Sequence, residues 1–172
     1  GGMIDHLGYP YCRGRVFETI EEDLGQYDDE TEIFWATGCA LFIRREDFWK
    51  MKGFDERFFA HQEEIDLCWR LKNAGRKIYY CGKSTVFHVG GGTLNKQSPQ
   101  KTFLNFRNNL TMLLKNLPTS SLFWIIPLRL VLDGIAGIYF GMKDGFPHLI
   151  AVLKAHFGFY GMFAESLKLR SK

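Results

Sequence analysis

Residues 121–142 read S-L-F-W-I-I-P-L-R-L-V-L-D-G-I-A-G-I-Y-F-G-M. As a helix this stretch rises about 33 Å, enough to cross the hydrocarbon of a bilayer. It also carries Arg129 and Asp133, each of which costs about 2.5–3.5 kcal/mol at the centre of a lone spanning helix. Four residues apart, the two can pair along one helix face. An apolar helix with its own internal ion pair is expected to be buried against protein or laid at an interface rather than to span.

The segments on either side are helical as well. Ser98-Pro99 supplies an N-cap followed by proline at the first helical position, and Phe103, Phe106, Leu110, Leu113 and Leu117 then recur at threes and fours. A second helix is expected over residues 120–140, kinked or restarted near Pro127, and a third over 147–169. The earlier part is mixed. A strand buried on both faces is expected from Ile33, where I-F-W-A-T-G-C-A-L-F-I is continuously apolar, with Gly38 marking a bulge or close approach. A short helix over 46–52, a helix over 62–73 closed by Ala74-Gly75, and strands over 77–80 and 85–89 follow. The first thirty residues read as an exposed loop, with Gly1, and with it Gly2, as a cloning remnant. The fold class is therefore α+β, with a few strands and helices over residues 1–97 and three long, partly amphipathic helices over 98–172.

The charge is asymmetric. Residues 1–66 hold 16 acidic and 7 basic side chains (7 − 16 = −9), and residues 67–172 hold 3 and 15 (15 − 3 = +12). A basic, aromatic second half suits an anionic membrane, a nucleic acid or a phosphate-bearing ligand, or a solvated face beside an acidic neighbour. The acidic first half and the lack of a recognition motif argue against nucleic acid. Cys12, Cys39, Cys68 and Cys81 form no C-x-x-C pair and no metal-ligand spacing, which points to a reduced, cytoplasmic setting. The opening G-G-M-I-D-H lacks the pattern of a secretory signal. No G-x-G-x-x-G, G-x-x-x-x-G-K-[ST] or D-x-D occurs, so no nucleotide-binding half is recognisable.

Two short stretches carry the chemistry. In F-F-A-H-Q-E-E-I-D-L-C-W-R, residues 58–70, Glu63 and Glu64 fall in the first turn of a helix, where the dipole favours negative charge. They also sit among Phe58, Phe59, Ile65, Leu67 and Trp69, and a carboxylate buried in such company needs a partner or a task. In V-F-H-V-G-G-G-T, residues 86–93, His88 precedes three glycines whose backbone can approach a ligand or present N–H groups to phosphate; a histidine satisfied within the fold is the other reading.

Taken together, F-F-A-H-Q-E-E-I-D-L-C-W-R-L-K-N-A-G and I-Y-Y-C-G-K-S-T-V-F-H-V-G-G-G-T resemble the C-terminal half of the catalytic domain of family 2 glycosyltransferases, most of all the bacterial rhamnosyltransferase-like branch. K-G-F-D-E-R-F-F (52–59), A-T-G-C-A-L-F-I-R-R (36–45) and K-T-F-L-N-F-R-N-N-L (101–110) extend the resemblance over residues 30–117. It implies a GT-A fold, a nucleotide-sugar donor, a glycan or lipid-linked acceptor, a divalent metal (Mg or Mn) in the full-length enzyme, and inversion at the anomeric carbon, as in surface polysaccharide synthesis. Glu64 aligns with the general base, where the family pattern has aspartate; Glu63 is its understudy. His88 matches a position that contacts the metal or pyrophosphate, with Gly90, Gly91 and Arg107 as phosphate or donor contacts. Trp35, Thr37 and His61 are candidate acceptor contacts. For Trp35, core packing is an equal reading, and for Arg107 a solvated helix face is the stronger one.

Two functions follow. The chain is a portion of an inverting glycosyltransferase, inactive alone and holding no metal or donor tightly. Alternatively, it is a non-catalytic module docking on a membrane, at the inner face, or on a partner. Its apolar surface is expected to drive self-association into a dimer or higher oligomer.

Overall fold

The computed structural model of the chain describes residues 1–16, 19–88 and 98–170. They form two compact units. The first comprises Gly1–Glu56 and Glu63–His88, and the second gathers Arg57–Gln62 with the helices that follow Ser98. The class is α+β, as expected.

In the first unit the opening residues are not a loop. Strands β1 (Gly2–Ile4), β2 (Pro10–Cys12), β3 (Arg15–Val16) and β4 (Thr19–Ile20) form an antiparallel meander in chain order. Gly1 and Gly2 are built into it. The Gly1 carbonyl accepts the Arg13 N–H at 2.9 Å, and the Gly2 carbonyl accepts those of Phe34 and Trp35 at 2.8 and 3.1 Å. A side chain at Gly2 would lie 2.4 Å from the Trp35 ring, so this position admits only glycine. These strands are two or three residues long and mostly exposed, which is why no apolar alternation announces them.

The expected strand over 33–43 is also corrected. Strand β5 spans Glu30–Ile33 and pairs antiparallel with β6 (Ile78–Cys81), from Glu30 opposite Cys81 to Ile33 opposite Ile78. The ladder with β6 ends at Ile33, a single antiparallel bridge joins Trp35 to Gly2, and the chain then tightens into a 3-10 turn at Gly38–Ala40. Phe42 is 91% exposed, so continuous apolarity here does not mean burial on two faces. Residues 85–88 are not a strand. Helix α1 (Arg45–Lys50) and helix α2 (Glu63–Asn73) fall where expected, with Gly75 at φ 77° ending α2. The Asp66–Arg70 pair forms at 2.8 Å, with Asp66 fully buried. Arg70 also donates to the Met51 and Gly53 carbonyls, which fastens the turn at Lys52 and Gly53, both at positive φ, to α2.

The second unit contains α3 (Pro99–Asn116), α4 (Thr119–Lys143) and α5 (Phe146–Lys168). Ser98 caps α3 as expected, its Oγ accepting the Gln100 N–H at 3.2 Å. Helix α4 runs through Pro127 as one element. Helix α5 packs along α3, and α4 along α5. Side-chain atoms of Val152 and Leu149 would lie 3.1 Å from a Cβ on Gly137 and on Gly141, respectively, so a larger residue at either place would have to push its neighbour on α5 back by a few tenths of an ångström. Leu110, Leu114 and Phe159 form the core, with Leu122, Ile126 and Leu130 packed against it. The Arg129–Asp133 pair forms at 3.3 Å and is buried.

The same unit holds residues 57–62, where the backbone is unusual. Phe59, His61 and Gln62 adopt φ of 64°, 68° and 74°, a region that costs non-glycine residues about 1–3 kcal/mol each. The Ala60 N–H closes back on the Phe58 carbonyl at 2.7 Å, a tight three-residue turn. Two neighbours on α3 hold it. Asn108 Nδ2 donates to the carbonyls of Phe58, Ala60 and His61 at 2.8–2.9 Å. Arg107 donates to those of Arg57 and Phe58 at 3.1 Å and to Asn108 Oδ1, which orients the amide. Phe58 is fully buried beneath the Lys115 ammonium, 5.1 Å from the ring centroid.

Two predictions follow from this packing. Asn108→Ala strips three carbonyls of a donor, and denaturant unfolding should show a loss of about 3 kcal/mol. Asp133→Leu should cost about 3–5 kcal/mol by removing the paired carboxylate from a buried guanidinium, whereas Arg129→Met with Asp133→Leu should lose less than the single variant; equal losses in the single and double variants would contradict this.

Candidate functional site

Glu63 and Glu64 open α2, where unpaired N–H groups and the helix dipole favour negative charge. Facing them in the first unit is the turn at Gly38. A Cβ placed on Gly38 would stand 4.0 Å from that of Glu64, so the carboxylate side chain lies directly against backbone. Each glutamate is half-buried, and each has one carboxylate oxygen, Oε2, that is shielded from water and has no hydrogen-bond partner. Burial, and after it the charge of Glu63, raises the Glu64 pKa above its ordinary value, against the backbone N–H groups of Glu64, Gly38 and Ile65, which lower it. One turn on, Cys68 is fully buried, and burial pushes its thiol up to about 11. It is a neutral filler beneath Glu64.

A cavity of about 750 Å³ opens in the same unit, lined among others by Trp35, Thr37, Arg44, Arg76, Lys77 and Tyr79. Trp35 and Thr37 therefore share a concavity, one that combines aromatic, hydroxyl and cationic groups. Trp35 has a structural task as well: its indole N–H donates to the Met3 carbonyl at 2.8 Å. Thr37 is exposed, with its hydroxyl 3.4 Å from Cys39 Sγ. Neither Glu63, Glu64 nor His88 lines this cavity. His88 is exposed in the segment after β6. Gly90 and Gly91 lie outside the described residues.

The other candidates belong to the second unit. His61 is one of the left-handed residues whose carbonyl Asn108 holds. Arg107 neither reaches outward for a phosphate nor coats a solvated face, because its donors go to backbone carbonyls and to Asn108. Asn108 itself was missed, although it stands in the quoted N-F-R-N-N stretch; a buried amide in mid-helix, with Arg immediately before it, was the available signal. Gly38 was read as a close-approach glycine, but the group it approaches, Glu64, was not foreseen. Among the described residues no three His, Cys, Asp or Glu side chains come together as metal ligands. The described residues thus offer no divalent-ion site of three such ligands.

The chain was compared with known proteins. It is 28% identical over 134 residues to the N-acetylglucosaminyl-diphospho-decaprenol L-rhamnosyltransferase of Mycobacterium tuberculosis, covering 78% of this chain and 42% of that protein. It is 39% identical over 59 residues to Rhamnosyltransferase WbbL of Escherichia coli, covering 34% of this chain and 22% of that protein. The chain thus spans less than half the length of these curated relatives. No family model matches it. No solved structure matches it. By sequence, then, the chain is rhamnosyltransferase-like, and its likeness is to glycosyltransferases.

Proposed function

We propose that this chain carries the acceptor side of an inverting, family 2-like glycosyltransferase in which Glu64 is the general base. The observation that supports this reading most is the adjacent pair of glutamates at the start of α2, each with a shielded oxygen that no protein donor satisfies. An acceptor hydroxyl is the donor that the free oxygen of Glu64 lacks.

In this reaction Glu64 takes the proton of the acceptor hydroxyl while that oxygen bonds to the anomeric carbon of the donor sugar. The bond from that carbon to the diphosphate breaks, its electron pair leaves with the nucleotide, and the configuration inverts. The raised proton affinity of Glu64 brings it closer to the ideal for a base working near neutrality, and the neighbouring Glu63 charge helps to maintain it. Donor recognition is assigned to the portion of the enzyme that corresponds to the remaining length of the relatives. A divalent ion serving the leaving diphosphate belongs to that portion too. The printed name of the mycobacterial relative specifies rhamnosyl transfer to a decaprenol-diphosphate-linked sugar, so a nucleotide-activated deoxyhexose and a polyprenol-linked glycan, on a route to surface polysaccharide, are the substrate classes to try first.

In the whole enzyme, Glu64→Gln should lower transfer by about 10²–10⁴-fold with little change in donor affinity; transfer at the wild-type rate would end the assignment. The pH dependence has a defined sign. A carboxyl whose pKa is raised by folding favours the folded state fully below its unfolded pKa and loses that contribution as pH rises through the folded one. Thermal melts of the 172-residue chain should therefore show Glu64→Gln indistinguishable from wild type in acid and more stable than wild type at neutral pH. A melting difference that is constant across pH would contradict the burial argument.

A further inference from the structure

Among the described residues, Lys52, Phe59, His61 and Gln62 are left-handed without being glycine, and three of them fall in the four residues before α2. Strained backbone of this kind persists only where its surroundings over-determine it. Here Arg107 and Asn108 do so. The Asn108 amide is fully buried and gives its nitrogen to the carbonyls of Phe58, Ala60 and His61. Its oxygen accepts from two nitrogens of Arg107, at 2.9 and 2.8 Å. A turned amide would set its oxygen against three carbonyls and its nitrogen against a guanidinium, so one orientation is enforced. The clamp is braced in turn. Arg107 lies over the Phe103 ring, 5.1 Å from its centroid, and its stem runs past Gly158 of α5, where a Cβ would stand 3.1 Å from Arg107 Cδ. A loop that only joined two elements could place glycine at the left-handed positions and need no clamp. Phe59 is 72% exposed, so packing of its side chain does not account for the strain.

We infer that Arg107 and Asn108 are positioning residues for the carboxylates at the head of α2: by fixing residues 58–61 they set how the chain enters Glu63 and Glu64. The consequence for transfer rests on the role proposed above for Glu64. The link is covalent. The last clamped carbonyl is that of His61, so Gln62 alone separates the clamp from Glu63, and any shift of the His61 backbone passes to the first turn of α2 through two peptide bonds. There the Glu64 side chain lies against the Gly38 turn, with one oxygen shielded from water and without a donor. A small displacement of the helix start therefore changes what that carboxylate meets. Misplacing a reacting group by about 1 Å costs on the order of 10²-fold in rate, which is ample reason to hold the preceding turn rigid. Neither clamp residue is catalytic; both act through Glu64.

The test is a carbon-13 magnetic resonance titration of the Glu64 side-chain carboxyl in the 172-residue chain, set beside transfer kinetics of the whole enzyme. Asn108→Ala should let the carboxyl reach water, so that its pKa, raised by burial and by the Glu63 charge, falls back toward that of an ordinary glutamate. In the whole enzyme the same variant should lower kcat by about 10²-fold with donor KM within about twofold of wild type. Arg107→Met keeps the stem beside Gly158 and frees the amide to turn; it should move both readouts the same way by less, and it carries the test if Asn108→Ala does not fold. Leu110→Ala empties a core position on the same helix. It should lower the melting temperature at least as much as Asn108→Ala, yet leave the Glu64 titration and kcat at wild-type values. A Glu64 titration unchanged in the folded clamp variants, or an equal kcat loss in Leu110→Ala, would overturn the inference. Wild-type transfer by Glu64→Gln, with the titration still shifted by Asn108→Ala, would instead end the base assignment and uphold the hold of the clamp on the carboxylate.

Discussion

One side-chain amide, that of Asn108, holds a stretch of backbone that would not hold itself. Three residues without glycine's freedom, Phe59, His61 and Gln62, stand in the left-handed region, and the carbonyls this exposes converge on a single nitrogen of α3. Arg107 fixes which way that amide faces. The strain of the turn, about 1–3 kcal/mol at each residue, is offset by burial of Phe58 and by hydrogen bonds made in a setting from which water is excluded. This segment runs directly into Glu63, the first residue of α2, so the strained stretch and the carboxylate pair are consecutive in the chain. Strain of this kind collects where a structure has to present something specific.

The molecule treats its buried charges in two ways. Asp66 with Arg70 in the first unit, and Arg129 with Asp133 in the second, are neutralised by a partner four residues away on the same helix. Glu63 and Glu64 are treated differently: two like charges side by side, partly buried, each with one oxygen, Oε2, that the protein leaves without a donor. That arrangement costs stability in the resting fold. It is the arrangement expected of groups whose partner is brought by a substrate.

Helix α4 makes the related point about surfaces. Its apolar composition was compatible with a core helix, an interfacial helix or a span, and its sequence contains both the ion pair and the glycines that decide among them. What separates the readings is direction. The charges and Gly137 face α5, and the large aliphatic groups face away.

The sequence by itself determined what depends on neighbours within a turn or two. Ser98 caps α3 and Gly75 ends α2 because capping groups act on the backbone beside them; the Asp66–Arg70 and Arg129–Asp133 pairs form because a helix places residues four apart on one face. The acidic start of α2, and with it the candidate base, was legible for the same reason. Tertiary structure decided what depends on partners far away in the chain. The run from Ile33 stopped being a strand because its ladder with β6 ends at Ile33 and a lone bridge from Trp35 to Gly2 continues it, and the first thirty residues became a meander through hydrogen bonds that leave little apolar pattern. Gly2 is tied to its position by the Trp35 ring, thirty-three residues on. The Asn108 clamp joins carbonyls to an amide nearly fifty residues later. Local rules of capping and periodicity carry no information about such meetings, since bringing these groups together is the work of folding the whole unit.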